Sequence, residues 1–191
     1  MMATETKESI RNLMREIRAD LTMAWVREAS VAVIDRVRRL QAFSDADVVG
    51  SYLAMPREVQ TMDLVYASWD MGKRVCVPAW DERTGLYQMA AIERGHEMVS
   101  GPMGILQPRE LRWVPLEEIG FMAVPGIAFD MQGGRLGHGG GHFDRLLVRC
   151  GGFKVGLAFD FQIVEQIPLG SHDIPVELVV TERMNYPVKG T

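Results

Sequence analysis

The stretch that most constrains this chain is "VPGIAFDMQGGRLGHGGGHFDR", residues 124–145. Eight of its 22 residues are glycine or histidine between Gly133 and His142. Glycine loses more backbone entropy on folding than any other residue, so so dense a cluster has to serve something that needs bare backbone. An apolar run over 121–129 leads into it, and helix-forming residues follow from 142 to about 150. Strand, glycine loop, helix is the layout that turns backbone N–H groups toward a phosphate. Arg135 and Arg145 flank the loop and can grip phosphate oxygens with a bidentate fork. Asp130 and Asp144 bracket it, and carboxylates beside phosphates are natural Mg²⁺ ligands.

The rest of the chain supplies the sheet for that loop. Ile10, Leu13, Met14, Ile17 and Leu21 recur at helical spacing, with Thr4 or Thr6 available as a cap. A second helix is expected over 29–40 and a third over 61–72, ending at Gly72. Strands are expected over 47–54, 73–80, 121–129, 153–159 and 176–182, with 85–92 antiparallel after a glycine turn. Short apolar strands alternating with helices predict an α/β fold with a mostly parallel sheet covered on both faces. Ligands in such sheets bind beyond the carboxyl ends of strands, which is where the glycine loop falls. With 191 residues and 47% hydrophobic content, one domain spanning 1–191 is expected. A net charge of -4 argues against nucleic acid as a partner. Cys76 and Cys150 read as reduced thiols. The N-terminus shows no signal peptide and no run approaches a membrane span, so a cytoplasmic protein is expected.

Other chemistries for the loop are weaker. It lacks G-x-x-x-x-G-K-[ST] and the dinucleotide G-x-G-x-x-G. His138 and His142 have i,i+4 spacing, but Gly139, Gly140 and Gly141 work against the helix a metal pair would need. The "HGGG" at 138–141 would suit an esterase oxyanion hole, yet no serine sits in a G-x-S-x-G elbow. A flexible surface loop without a ligand leaves the convergence of two arginines and two aspartates unexplained.

The segment resembles the signature of the 5-formyltetrahydrofolate cyclo-ligase (5,10-methenyltetrahydrofolate synthetase) family, V-P-G-x-A-F-D, two spacers, G-x-R-L-G-x-G-x-G-Y-Y-D-R. The resemblance continues in "KESIR" (7–11), "YLAMPREVQT" (52–61), "GILQP" (104–108), "VGLAFDFQ" (155–162) and "HDIPVELVVTE" (172–182). It implies a three-layer α/β/α sandwich of the NagB/RpiA/CoA-transferase-like kind. It also implies a ligase that uses ATP to cyclise 5-formyltetrahydrofolate to 5,10-methenyltetrahydrofolate, through an N5-iminium phosphate, with release of ADP and phosphate. Carried onto this sequence, the resemblance implies ATP contacts from Lys7, Arg11, Arg135, Leu136, Gly137, His138, Gly139, Gly140, Gly141 and Asp144. Tyr52, Met55, Glu58, His142 and Phe143 are assigned to the folate, with Trp113 a further candidate wall. Arg135, Asp144 and Arg145 are the expected catalytic group, and Asp144 and Asp130 the expected metal ligands. Arg15 and Arg18 are expected to face solvent.

Two departures stand out. His142-Phe143 replaces the family's Tyr-Tyr, and Gln107 stands where an acid is usual, changing the charge expected near the folate. They motivate the alternative of a non-catalytic or repurposed folate- or nucleotide-binding paralogue on the same fold. ATP, Mg²⁺ and a reduced folate are the expected small-molecule partners, and the chain is expected to be a monomer or homodimer.

Overall fold

The computed structural model describes residues 6–188. Its frame is a seven-stranded sheet in the order β12-β11-β9-β6-β1-β2-β3. The strands are β1 (Val48–Gly50), β2 (Arg74–Asp81), β3 (Leu86–Ile92), β6 (Phe121–Pro125), β9 (Phe153–Leu157), β11 (Leu178–Val180) and β12 (Asn185–Pro187). The five inner strands are parallel, while β3 and β12 close the edges antiparallel. The antiparallel pairing of β3 with β2 agrees with the glycine turn at Gly85.

Period-two alternation distributes the sheet between two cores. Phe121, Ala123, Val155, Leu157 and Val180 face one side. There they meet helix α2 (Met23–Val37), the short α3 (Gln41–Asp45) and α4 (Met62–Asp70). Met122, Val124 and Val179 face the other side, against Leu146 and Leu147 of α5 (His142–Leu147) and against Phe129. Phe129 belongs to β7 (Ala128–Asp130), which pairs with β8 (Arg135–Leu136) and β10 (Ile163–Val164) in a separate small sheet. Helix α1 (Lys7–Ala19) packs Ile10 and Met14 on that small sheet, beside Ile127, Ala128 and Leu136.

Several boundaries differ from the sequence expectation. The 121–129 run is two strands, because the chain leaves the large sheet at Gly126 and Ile127 and enters the small one. The expected strand at 47–54 pairs only over β1, and residues 51–54 turn away toward a cleft. Helix α2 begins six residues before position 29, capped by Thr22, whose hydroxyl accepts the Trp25 N–H. Thr6 caps α1 through the Ser9 N–H, and Thr4 lies outside the described residues. Leu13 is exposed rather than part of the buried stripe, since only Ile10 and Met14 point fully into the core. The hairpin of β4 (Met98–Ser100) and β5 (Leu106–Pro108) had no alternating pattern to betray it. Among the described residues, no helix is long and apolar enough to cross a membrane.

Candidate active site

β1 and β6 are adjacent and parallel, and their carboxyl ends open onto a cleft of about 600 Å³. Ser51 to Leu53 leave β1 there, and Pro125 and Gly126 leave β6. This is the crevice that open parallel sheets offer to ligands.

One side of the cleft is the glycine loop. Gly139 (φ 104°) and Gly141 (φ 64°) adopt conformations that side chains resist, which lets the loop bend with its backbone uncovered. Among the described residues, no amide N–H from 138 to 144 donates to a protein acceptor. Such groups ask for an anion. The loop is held from α1, where Arg11 Nε donates to the Gly137 carbonyl at 3.0 Å. Lys7, one turn earlier, pairs with Asp173 at 2.5 Å. Burial pushes the Asp173 carboxyl up, but the Lys7 and Gly170 hydrogen bonds and the Lys7 and Arg135 charges hold it below its ordinary range.

Arg135 lies beneath the loop with only 4% of its side chain exposed. Its Nη2 donates to Asp144 Oδ1 at 2.7 Å and its Nη1 to the Pro125 carbonyl, and its guanidinium lies over the Phe143 ring. Its Nε is buried without a protein partner among the described residues. Asp144 Oδ1 also accepts the Ile174 N–H, whereas Oδ2 carries no protein hydrogen bond among the described residues. Leu136, Gly137, His138, Gly140 and His142 complete this side.

Much of the remaining lining is apolar. Tyr52, Met55, Phe143 and Leu146 contribute to it together with Pro78, Tyr87, Met103 and Ile105. The Tyr87 ring meets His142 edge-on at 5.1 Å, and its hydroxyl donates to the Pro102 carbonyl. Burial raises the Tyr87 phenol above its usual pKa. Glu58 is almost fully buried: Oε2 accepts the Met55 N–H at 3.0 Å, and Oε1 lies 3.5 Å from His138 Nε2. Tyr52 is buried and its hydroxyl donates to the Val59 carbonyl.

The cleft therefore gathers the expected ATP and folate residues from Lys7 to Asp144, Trp113 excepted. Four expectations are corrected. Arg145 is exposed and does not line the cleft, because α5 turns it outward while Leu146 and Leu147 turn into the core. Asp130 does not face the cleft: its 2%-exposed carboxylate accepts the Gln132, Gly134 and Ile167 N–H groups, which makes it a clamp for the turn before β8 rather than a metal ligand. Trp113 stands outside the cleft in a bridge to Ala90. Gln107 also stands outside; its Oε1 accepts the Trp80 N–H and fastens the β4–β5 hairpin to β2.

A fifth correction concerns Arg18, which turns inward and donates to the Gly126 carbonyl at 2.9 Å. Helical geometry could have found it. Eleven residues at 3.6 per turn return to within about 20° of the start, so Arg18 shares a face with Lys7 while Arg15 drifts outward. Arg15 is exposed and, among the described residues, bonds only Asn12. Pro78, Tyr87, Met103 and Ile105 had no comparable signal, since apolar residues in a strand or turn look the same whether they face a core or a cleft.

Known proteins resemble this chain over most of its length. The family described as "5-formyltetrahydrofolate cyclo-ligase family" matches residues 3–182. Relatives named 5-formyltetrahydrofolate cyclo-ligase include one from Haemophilus influenzae, 30% identical over 92% of this chain and 97% of that protein. Another, from Escherichia coli K12, is 32% identical over 88% and 96%. An Aquifex aeolicus structure described as 5,10-methenyltetrahydrofolate synthetase superposes with a TM-score of 0.86 at 32% identity, covering 97% of this chain and 94% of that one. A Mycoplasma pneumoniae structure of the same description shares the fold at TM-score 0.73 and 18% identity.

Proposed function

The chain belongs to the 5-formyltetrahydrofolate cyclo-ligase family, and on that premise we propose that it cyclises 5-formyltetrahydrofolate to 5,10-methenyltetrahydrofolate at the expense of ATP. The observation that carries this is a single cleft with two unlike sides. An amide-rich loop with Arg11, Lys7 and Arg135 suits a triphosphate, and an apolar side with one buried carboxylate suits a pterin.

The reaction needs the formyl oxygen, a poor leaving group, to be converted into a good one. That oxygen attacks the γ-phosphorus, the bond to the bridging oxygen breaks, and ADP leaves. N10 of the resulting N5-iminium phosphate then attacks the formyl carbon, the C–O bond breaks, and phosphate departs as N10 loses its proton. Phosphoryl transfer depends mainly on alignment and charge neutralisation. The unpaired amides of 138–144 and the Arg11 guanidinium would hold the triphosphate, and Lys7 would share its charge between Asp173 and a phosphate oxygen. Arg135, buried and paired, acts mostly by orienting Asp144. Glu58 would accept N–H donors of the pterin. Tyr87, His142 and Phe143 would hold ring surface.

Magnesium fits this donor set. Asp144 Oδ2 is a hard oxygen beside the loop without a protein partner among the described residues, and Mg²⁺ typically takes one or two carboxylates together with phosphates and waters. When bound it would neutralise phosphate charge. We further propose that the fold is a single three-layer sandwich of the kind shared by sugar-phosphate isomerases and CoA transferases, supported by helices on both faces of the sheet. We also propose that this activity is cytoplasmic. The test is to mix the protein with MgATP and 5-formyltetrahydrofolate, following methenyl absorbance and ADP together. Stoichiometric ADP and methenyl product support the enzyme. Tight binding of both ligands with neither product would instead identify a binding paralogue.

A further inference from the structure

Glu58 ends a turn that its own sequence resists. The Glu58 N–H closes the turn on the Met55 carbonyl at 3.2 Å, with Pro56 and Arg57 between them. Arg57 has φ 65°, a left-handed conformation that glycine or asparagine takes readily and a long side chain does not. Among the described residues Arg57 makes no hydrogen bond or ion pair, so no contact of its own offsets the strain. A strained residue of this kind persists only where its surroundings over-determine it.

Gln60 supplies that constraint. Its Nε2 carries two hydrogens and meets two acceptors on the turn, the Met55 carbonyl at 3.2 Å and the Glu58 carbonyl at 2.8 Å. One side chain thus straps both ends of the turn together. The Gln60 backbone N–H donates to Ser30 Oγ at 2.9 Å, and Ser30 is buried on α2, where its hydroxyl donates to the Val26 carbonyl. The strap is therefore anchored to the helical layer. The flanking backbone is fixed as well, since the Tyr52 hydroxyl donates to the Val59 carbonyl and the Thr61 hydroxyl to the Tyr52 carbonyl. The Glu58 side chain folds back on the same turn: Oε2 accepts the Met55 N–H at 3.0 Å. That leaves Oε1 for the cleft, with His138 Nε2 at 3.5 Å. Gln60 does not line the cleft and stands behind the residues that do.

We propose that Gln60 is a positioning residue for the folate half of the site: its amide holds the Met55–Glu58 turn in its strained form, and that form aims Glu58 Oε1 at the N–H donors of the substrate. This rests on the folate assignment of Glu58 above. The nucleotide half is built on the glycine loop and α1 and shares none of these hydrogen bonds.

The test measures KM for each substrate, direct binding of 5-formyltetrahydrofolate without ATP, and Tm. The variants are Gln60→Met, which keeps the length and removes both donors, Arg57→Asn, which relieves the left-handed strain, their combination, and Gln60→Met in a Glu58→Gln background. Gln60→Met should weaken folate binding about five- to tenfold with the ATP KM within about twofold of wild type. Its Tm should fall by no more than about 4 °C, since the bonds lost are partly exposed. Arg57→Asn alone should leave folate binding within about twofold, and added to Gln60→Met it should regain at least about threefold of the loss, because a turn without strain needs less strapping. With Glu58→Gln already present, Gln60→Met should cost less than about twofold more, as for residues acting through one group. The proposal is overturned if folate binding is unchanged in Gln60→Met, if both KM values move together, if Arg57→Asn restores nothing, or if the loss persists in full without the Glu58 carboxylate. Should Gln60→Met fail to fold, Gln60→Asn, whose shorter amide cannot span both carbonyls, decides by the same split. Failure of the family reading looks different: wild-type protein would then neither bind 5-formyltetrahydrofolate nor turn it over.

Discussion

Asp130→Asn separates a clamp from a metal ligand. In the wild-type protein Oδ1 accepts from Gln132 N–H at 3.0 Å and Gly134 N–H at 2.7 Å, and Oδ2 accepts from Ile167 N–H at 2.8 Å. An asparagine can keep its oxygen toward the first two donors only by turning its NH₂ toward the third. Two donors then confront each other at a site 2% exposed, where water cannot intervene. Losing one bond to a charged acceptor and leaving a buried N–H unpaired together cost about 2–4 kcal/mol. For a chain of 191 residues, a loss near 3 kcal/mol corresponds to a fall in Tm of roughly 6–12 °C. The turn that Asp130 clamps leads directly into Arg135, so turnover should fall as well, even in excess Mg²⁺. Thermal unfolding followed by circular dichroism in EDTA, beside a Mg²⁺ titration of turnover, measures both effects. A Tm within about 2 °C of wild type, combined with a displaced Mg²⁺ requirement, would falsify the clamp argument and restore Asp130 as a ligand.

Arg11→Ala should raise the ATP KM about tenfold, because it removes the tie to Gly137 and a phosphate-facing cation, while Arg15→Ala should leave it within about twofold; steady-state kinetics at saturating folate would show it. Asp173, whose carboxyl is depressed in the folded state, contributes stability above the ordinary carboxylate range that disappears as pH falls through its folded pKa. Urea unfolding of wild type and Asp173→Asn should therefore differ near neutrality, by less than about 1 kcal/mol since the Lys7 side chain is one-third exposed, and converge in acid; a difference independent of pH would count against the Lys7 pairing. Burial pushes the Cys76 thiol up to about 12 and raises Cys150, so a thiol reagent at neutral pH should label neither cysteine in the native protein and both after unfolding. Prompt labelling of native protein would contradict the packing of both side chains.

What could be read from the chain alone was what local physics repeats along it. The spacing of Ile10, Met14 and Ile17 predicts α1, and Thr6 caps it as a threonine before a helix should. The run from Phe121, the glycines and the residues from His142 onward give strand, loop and helix, because each depends on neighbours close in sequence. The loop's uncovered backbone was legible for the same reason. Tertiary structure decided which side chains complete the cleft. Tyr87, Met103 and Ile105 come from a hairpin and a turn far along the chain, and nothing in an apolar residue's own sequence says whether it meets a core or a ligand. It also decided the fate of the charges. Asp130 and Asp144 have the same side chain and flank the same loop, yet one is closed in by three N–H groups and the other keeps an oxygen open to the cleft. A carboxylate's role follows from the donors that surround it, and those come from residues such as Ile167 and Ile174 that only folding brings near.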